Sequence, residues 1–85
     1  MSRLEKEIER IKSRPKDFTY EEAKKLLNNL GFIEDNKGKT SGSRVEFRTE
    51  NSDKKIIIHK PHPRSILKTY QINYILSQLE EWRLI

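Results

Sequence analysis

The residues best suited to chemistry in this 85-residue sequence are its two histidines, His59 and His62, which lie three positions apart among prolines and cations. Histidine titrates near neutral pH, so it can both accept and donate a proton. RNA cleavage by acid–base chemistry needs one group that takes the 2′-hydroxyl proton and another that protonates the leaving 5′-oxygen. With Lys60 and Arg64 as nearby cations, the pair predicts such cleavage without a metal.

These histidines have two other interpretations, a structural role, which stays open, and a zinc site, which is disfavoured. One or both side chains equally fit a packing or hydrogen-bonding role at the end of a strand. A zinc site fits less well, because no cysteine, third histidine or nearby carboxylate completes the usual ligand set.

A second candidate is the segment 37–44, which combines glycines, hydroxyls and cations. Exposed N–H groups, hydroxyls and cations bind phosphate oxygens. The segment lacks the spacing of a nucleotide-binding P-loop, so it does not predict ATP or GTP binding. The alternative is an ordinary flexible connection that leads into a strand.

The excess of basic over acidic side chains lies entirely in the middle of the chain. Residues 1–35 have net charge 0, whereas residues 36–70 contain nine basic and three acidic side chains, net +6. Clustered cations favour nucleic-acid binding, because several must meet several phosphates at once. The alternative is a solvated, lysine-rich sheet face that resists aggregation. The predicted RNA contacts are Lys37, Lys39, Ser43, Arg44, Arg48, Lys54 and Lys60.

Length and composition limit the remaining possibilities. Eighty-five residues predict a single domain, 1–85, with a site in a groove or on a sheet surface. The absence of cysteine excludes disulfides and thiolate chemistry and fits a reducing cytoplasm. No apolar run approaches a membrane span, and residues 1–6 contain no apolar signal region. We therefore expect a cytoplasmic protein without membrane contact or small-molecule cofactor.

Hydrophobic periodicity predicts the helices. Residues 3–13 form a short amphipathic helix ended by Pro15, and residues 20–30 form a second helix that begins with the capping box Thr19–Glu22. A final helix starts with Thr69 as its N-cap. The last residues, Trp82 to Ile85, either extend that helix or fold back as a strand.

Three strands are predicted between the second and the final helix, at residues 32–35, 43–49 and 54–59. The second alternates, with Val45 on one face and Arg44 on the other, and joins the third in a hairpin. We therefore predict an α+β two-layer domain whose sheet covers the helices with one face and presents Arg44, Arg48 and lysines on the other.

Four features in order resemble the HicA toxin family of bacterial toxin–antitoxin modules. These are a capped helix that closes as Leu-Asn-Asn-Leu-Gly-Phe, a Gly-Ser pair that ends the loop, a strand that leads into His-Lys-Pro-His-Pro, and Leu67-Lys68 before the final helix. The resemblance covers roughly residues 19–80, and the helix at 3–13 lies outside the minimal family pattern.

The resemblance implies a double-stranded-RNA-binding-domain-like α-β-β-β-α fold, here with an extra N-terminal helix. It also implies an mRNA endonuclease that is neutralised by a HicB antitoxin. The family's catalytic histidine usually follows the Gly-Ser pair directly, and here Arg44 occupies that position. The candidate catalytic residues are therefore His59, His62 and Arg44.

Two hypotheses follow from different classes of protein. The first is a toxin nuclease that acts on mRNA. The second is a non-catalytic module that binds RNA or a protein partner and has lost the nuclease histidine. A third hypothesis, DNA binding, has less support than either, because no helix presents a basic face suited to the major groove.

Overall fold

The computed structural model describes residues 3–35, 44–50, 53–60 and 65–85. Within these ranges it contains three helices and one three-stranded sheet. In chain order the elements are α1 (Arg3–Lys12), α2 (Tyr20–Asn29), β1 (Phe32–Asp35), β2 (Arg44–Thr49), β3 (Lys55–His59) and α3 (Thr69–Glu81). This confirms the predicted α+β class and the α-β-β-β-α order that follows α1.

The sheet is antiparallel with the strand order β1-β2-β3. Successive side chains of a strand point to opposite faces, so one face is apolar and the other polar. The inner face is fully buried at Phe47 and Ile56, which lie opposite each other in the register. The helices cover this inner face, as predicted, and the outer face carries the charged side chains.

Helix α2 begins at the predicted capping box. The Thr19 hydroxyl accepts from the Glu22 backbone N–H at 3.1 Å, and the Glu22 carboxylate accepts from the Thr19 N–H at 3.0 Å. This satisfies two donors that a helix start otherwise leaves without partners. The helix ends at Asn29, with Leu30 as C-cap, because Gly31 adopts a left-handed φ of 98° that reverses the chain into β1.

Helix α1 packs on the α2–α3 side of the core. Ile11 is fully buried, and Leu4 and Ile8 are partly buried against the same cluster. The helix ends at Lys12, one residue before the predicted end. Arg10 of α1 binds Glu22 of α2, and Arg14, two residues after α1, donates from its guanidinium to Asn73 of α3 at 2.7 Å.

The predicted N-cap of α3 is wrong by one residue. The carbonyl of Lys68 accepts from the N–H groups of Gln71 and Ile72 at 2.9 and 3.2 Å, so Lys68 is the N-cap and Thr69 is already helical. No side chain caps this helix start. The backbone geometry therefore prevails over the hydroxyl preference that pointed to Thr69.

The chain end is neither more helix nor a strand. Helix α3 stops at Glu81, Arg83 takes a left-handed φ of 58°, and the Leu84 N–H donates to the Leu79 carbonyl at 2.9 Å. This turn folds the last residues back on the core. The Trp82 ring stacks on Phe32, with 5.9 Å between the ring centroids.

A short backbone pairing ties the entry of α2 to the entry of α3. Thr19 and Ile66 form an antiparallel bridge. The Tyr20 N–H donates to the Ser65 carbonyl at 2.6 Å, and the Leu67 N–H donates to the Phe18 carbonyl at 2.8 Å. The chain that returns from β3 is thus anchored beside the first turn of α2.

Candidate nucleic-acid interface

Three strand termini meet at one end of the sheet. Strand β1 ends there at Asp35, β2 begins there at Arg44, and β3 ends there at His59, as the registers of Asp35 with Glu46 and of Arg44 with His59 require. We call the outer face of this end, formed by Arg44 and His59, the Arg44–His59 corner. It lies where the segments that hold most of the predicted site residues join the sheet.

Arg44 and His59 are direct cross-strand neighbours. Both side chains are exposed, and they share the outer face because Val45 and Ile58 beside them are buried on the inner one. Opposed residues of an antiparallel pair hold their Cβ atoms about 4.5–5.5 Å apart. Within the part of the chain that the structure describes, the side chain of Arg44 has no hydrogen-bond or ion-pair partner.

Helix α3 holds the backbone of β3 at this corner. The Gln71 side-chain amide donates to the His59 carbonyl at 3.0 Å, and the Ile57 N–H donates to the Tyr74 hydroxyl at 3.3 Å. Gln71 is 95% buried, since its relative exposure is 5%. Sequence reasoning missed this support, although a polar residue four positions before buried Ile75 was a signal.

The other outer-face cations are partnered within the protein. Arg48 forms an ion pair with Asp35, and Lys55 Nζ lies 3.7 Å from the Glu46 carboxylate. The described strand residues of the outer face thus carry two carboxylates beside three cations. Of these three cations, Arg44 is the one without an ion-pair partner among the described residues.

Lys54 lies away from the corner, in the turn that precedes β3. Its Nζ is 3.2 Å from the carboxylate of Asp53. The Thr49 hydroxyl and then Lys54 donate to that carboxylate, and together they hold the pKa of Asp53 below its usual value. Among the predicted RNA contacts, Lys54 and Arg48 thus already have intramolecular partners.

Lys60 follows His59 but turns toward the helical layer. Its ammonium lies 5.3 Å from the centroid of the Tyr20 ring, and the Tyr20 hydroxyl donates to Glu34, which also pairs with Lys24 at 3.2 Å. Burial alone would raise the pKa of Glu34, but the hydrogen bonds from Tyr20 and Lys24 outweigh it and lower the pKa. Burial and the contact with Glu34 raise the pKa of the Tyr20 hydroxyl.

Four predicted site residues lie outside the described ranges: Lys37, Lys39, Ser43 and His62. Of the predicted catalytic residues, the structure therefore brings together His59 and Arg44. Within residues 3–35, 44–50, 53–60 and 65–85, no three His, Asp or Glu side chains group to hold a metal ion.

A family model described as the HicA toxin of bacterial toxin–antitoxin matches residues 20–80, which run from the first residue of α2 to the last turn of α3. The chain belongs to the HicA toxin family. It is thus the toxin of a toxin–antitoxin module and has a cognate antitoxin as its partner. No curated protein and no solved structure matches this HicA chain. None of its described helices is long and apolar enough to cross a membrane.

Proposed function

We propose that this HicA-family toxin binds mRNA at the Arg44–His59 corner and cleaves it by metal-independent acid–base chemistry. The observation that carries the proposal is the cross-strand pair itself, in which an exposed imidazole lies opposite an exposed guanidinium that has no partner among the described residues. A proton acceptor beside a fixed positive charge is what attack on a phosphodiester requires.

In the proposed reaction His59 takes the proton of the ribose 2′-hydroxyl while the 2′-oxygen attacks phosphorus. The bond from phosphorus to the 5′-oxygen breaks, and that oxygen receives a proton from a second acid, which we assign to His62. The products are a 2′,3′-cyclic phosphate and a 5′-hydroxyl. A guanidinium does not serve as a general base, so the role of Arg44 is to stabilise the negative charge that grows on the phosphate oxygens.

The proposed RNA contacts are the seven residues predicted from the sequence. We propose Arg44 as the principal one, because Arg48 and Lys54 already pair with Asp35 and Asp53. If about four of them meet phosphates of a single strand, log affinity should fall with log salt at a slope near −3. Arg44→Glu should weaken binding strongly, whereas Lys25→Glu, an equal charge change at an exposed position of α2, should not. A flat salt response in a filter-binding titration would contradict the proposal.

Cleavage is tested with RNA in excess EDTA between pH 5 and 9. His59→Ala should lower the rate about 10²–10⁴-fold, the usual contribution of one acid or base. Lys55→Ala is the matched control, because Lys55 lies on the same face of the same strand at its other end and pairs with Glu46. Full activity of the double variant His59→Ala/His62→Ala, or complete inhibition by EDTA, would show that the chemistry is wrong. RNA binding without cleavage by the wild type would favour the non-catalytic module.

We further propose that the cognate antitoxin is HicB-like and covers the corner with carboxylates. Complementary charge would steer the two proteins together and hold them. Co-purification of toxin and antitoxin should be lost with Arg44→Glu and retained with Lys25→Glu. If the complex survives Arg44→Glu/Arg48→Glu, the antitoxin binds another surface.

A further inference from the structure

Two tyrosines on α3 expose their aromatic rings to solvent. Tyr70 is 64% exposed and Tyr74 is 37% exposed. Among the described residues, Ile33 is the one other large hydrophobic residue with comparable exposure. Residues four apart lie on the same face of a helix, so the two rings form one aromatic strip.

The strip lies beside the Arg44–His59 corner. The Tyr74 hydroxyl meets the Ile57 N–H, whereas Gln71, three residues earlier, meets the His59 carbonyl. Helix α3 therefore starts at the His59 end of β3 and runs antiparallel to that strand. Tyr70, one helical turn before Tyr74, lies on the side where the corner is.

The two tyrosines also differ in what they do for the fold. The Tyr74 hydroxyl accepts from the backbone of β3, which explains part of its position. In the described ranges, Tyr70 has neither a hydrogen-bond nor a ring partner. Its exposed ring is thus the better candidate for contact with a ligand.

The surroundings of the strip suit an anion. Residues 65–79 contain no Asp or Glu, and their one charged side chain is Lys68, which is exposed. Asn73 and Ser77 between and beyond the tyrosines are exposed and uncharged. A polyanion that leaves the corner in this direction meets no carboxylate from residues 65–79, in contrast to the outer sheet face, where Asp35 and Glu46 lie.

We propose that Tyr70, with Tyr74 beside it, forms a stacking subsite for unpaired bases of a single-stranded RNA whose phosphate lies at the corner. The inference rests on the proposed RNA binding and adds the form of RNA that is selected. A double-stranded-RNA-binding-like fold alone would point to duplex recognition by shape and backbone. An exposed aromatic ring contributes only when a base face is free to stack on it, because paired bases are already stacked on each other.

The test is a fluorescence-anisotropy titration with labelled 2′-O-methyl oligonucleotides, which lack the nucleophile and are not cleaved by the proposed reaction. One probe is single-stranded and the other is the same strand in a duplex. Tyr70→Ala should weaken single-strand binding about 5- to 150-fold, the effect of removing one stacked base. Tyr70→Phe should retain the affinity, and Ile33→Ala, an exposed apolar residue on the far edge strand, should not change it.

Two further readouts separate stacking from other causes. The salt dependence should keep its slope in Tyr70→Ala, because no phosphate contact is lost. Duplex binding should change little in the same variant. Equal losses for single strand and duplex, or an unchanged single-strand affinity, would overturn the subsite.

The remaining outcomes distinguish this inference from the one on which it rests. If the wild type binds neither probe, the proposed function fails and the subsite fails with it. If Tyr70→Ala keeps its RNA affinity but loses the antitoxin, the strip is a protein-docking surface and the subsite is overturned.

Discussion

Two charged regions of the molecule are built in opposite ways. Where α1 meets the start of α2, Arg10 binds Glu22 and lies 3.2 Å from Asp17. We call this region, formed by Arg10, Asp17, Thr19 and Glu22, the α1–α2 joint. At the Arg44–His59 corner the guanidinium of Arg44 has no such partner in the described ranges. Charges that are paired within the protein stabilise its fold, whereas an exposed charge without a partner can attract a ligand of opposite charge.

The largest loss of folding stability is expected when the side chain that packs α1 on the core is shortened. Ile11→Ala should lower the free energy of unfolding by about 2–5 kcal/mol, because a fully buried side chain is replaced by a cavity. Urea denaturation measures the effect. Ile33→Ala, at an exposed position, should stay within about 0.5 kcal/mol of wild type. Similar values for the two variants would mean that α1 does not share the core.

A smaller loss should follow from removing the cap at the joint. Thr19→Ala deletes the hydroxyl that accepts from the Glu22 N–H and should cost about 1 kcal/mol. Thr19→Ser keeps an equivalent oxygen and serves as the control. Thermal denaturation of the three proteins gives the ranking, and an equal loss in Thr19→Ser would point to the methyl group instead.

The charge of Glu22 should contribute less, and in a pH-dependent way. The hydrogen bond from Arg10 outweighs burial and lowers the pKa of the Glu22 carboxyl below its usual 4.5. A lowered folded-state pKa means stabilisation that is present above pH 4.5 and is lost as pH falls through the folded value. Glu22→Gln should therefore be about 0.5–1 kcal/mol less stable than wild type at pH 7. That difference should shrink as pH falls from 4.5 through the lowered folded-state pKa of Glu22, and one that stays constant with pH would contradict a role for the charge.

The smallest effect on stability is expected at the corner itself. Arg44→Ala should change the free energy of unfolding by less than about 0.5 kcal/mol, because it removes no described intramolecular contact. The same variant should reduce the steepness of the salt dependence of RNA binding by about 0.7, the share of one phosphate on a single strand. A large loss of stability would show that Arg44 stabilises the fold, as the charges of the α1–α2 joint do, and the two regions would then not differ.

The elements were predictable because local rules agree with one another here. The capping box at Thr19 and Glu22, the glycine at Gly31 and the alternation around Phe47 each indicate the element that the structure contains. The N-cap of α3 was missed because the backbone of Lys68 starts that helix without any side-chain oxygen. A signal that is absent from the side chains cannot be read from the sequence.

The candidate site was predictable only in part. Alternation placed Arg44 on the outer face, and the end of the isoleucine run placed His59 at a strand end. Their pairing depends on the register of the hairpin, which residue types specify weakly on the outer face. The ion pair of Arg48 with Asp35 could not be predicted from the charge pattern, because it joins residues of two different strands.

The hydrogen bonds that α3 makes along β3 have a consequence for assembly. An edge strand normally offers its free N–H and C=O groups to any passing polypeptide, which is a common start of aggregation. Here the Ile57 N–H and the His59 carbonyl are already taken by Tyr74 and Gln71. A foreign strand could extend the sheet at β3 only by displacing both side chains. We therefore expect any antitoxin that reaches this side to grip it through side chains rather than by strand addition.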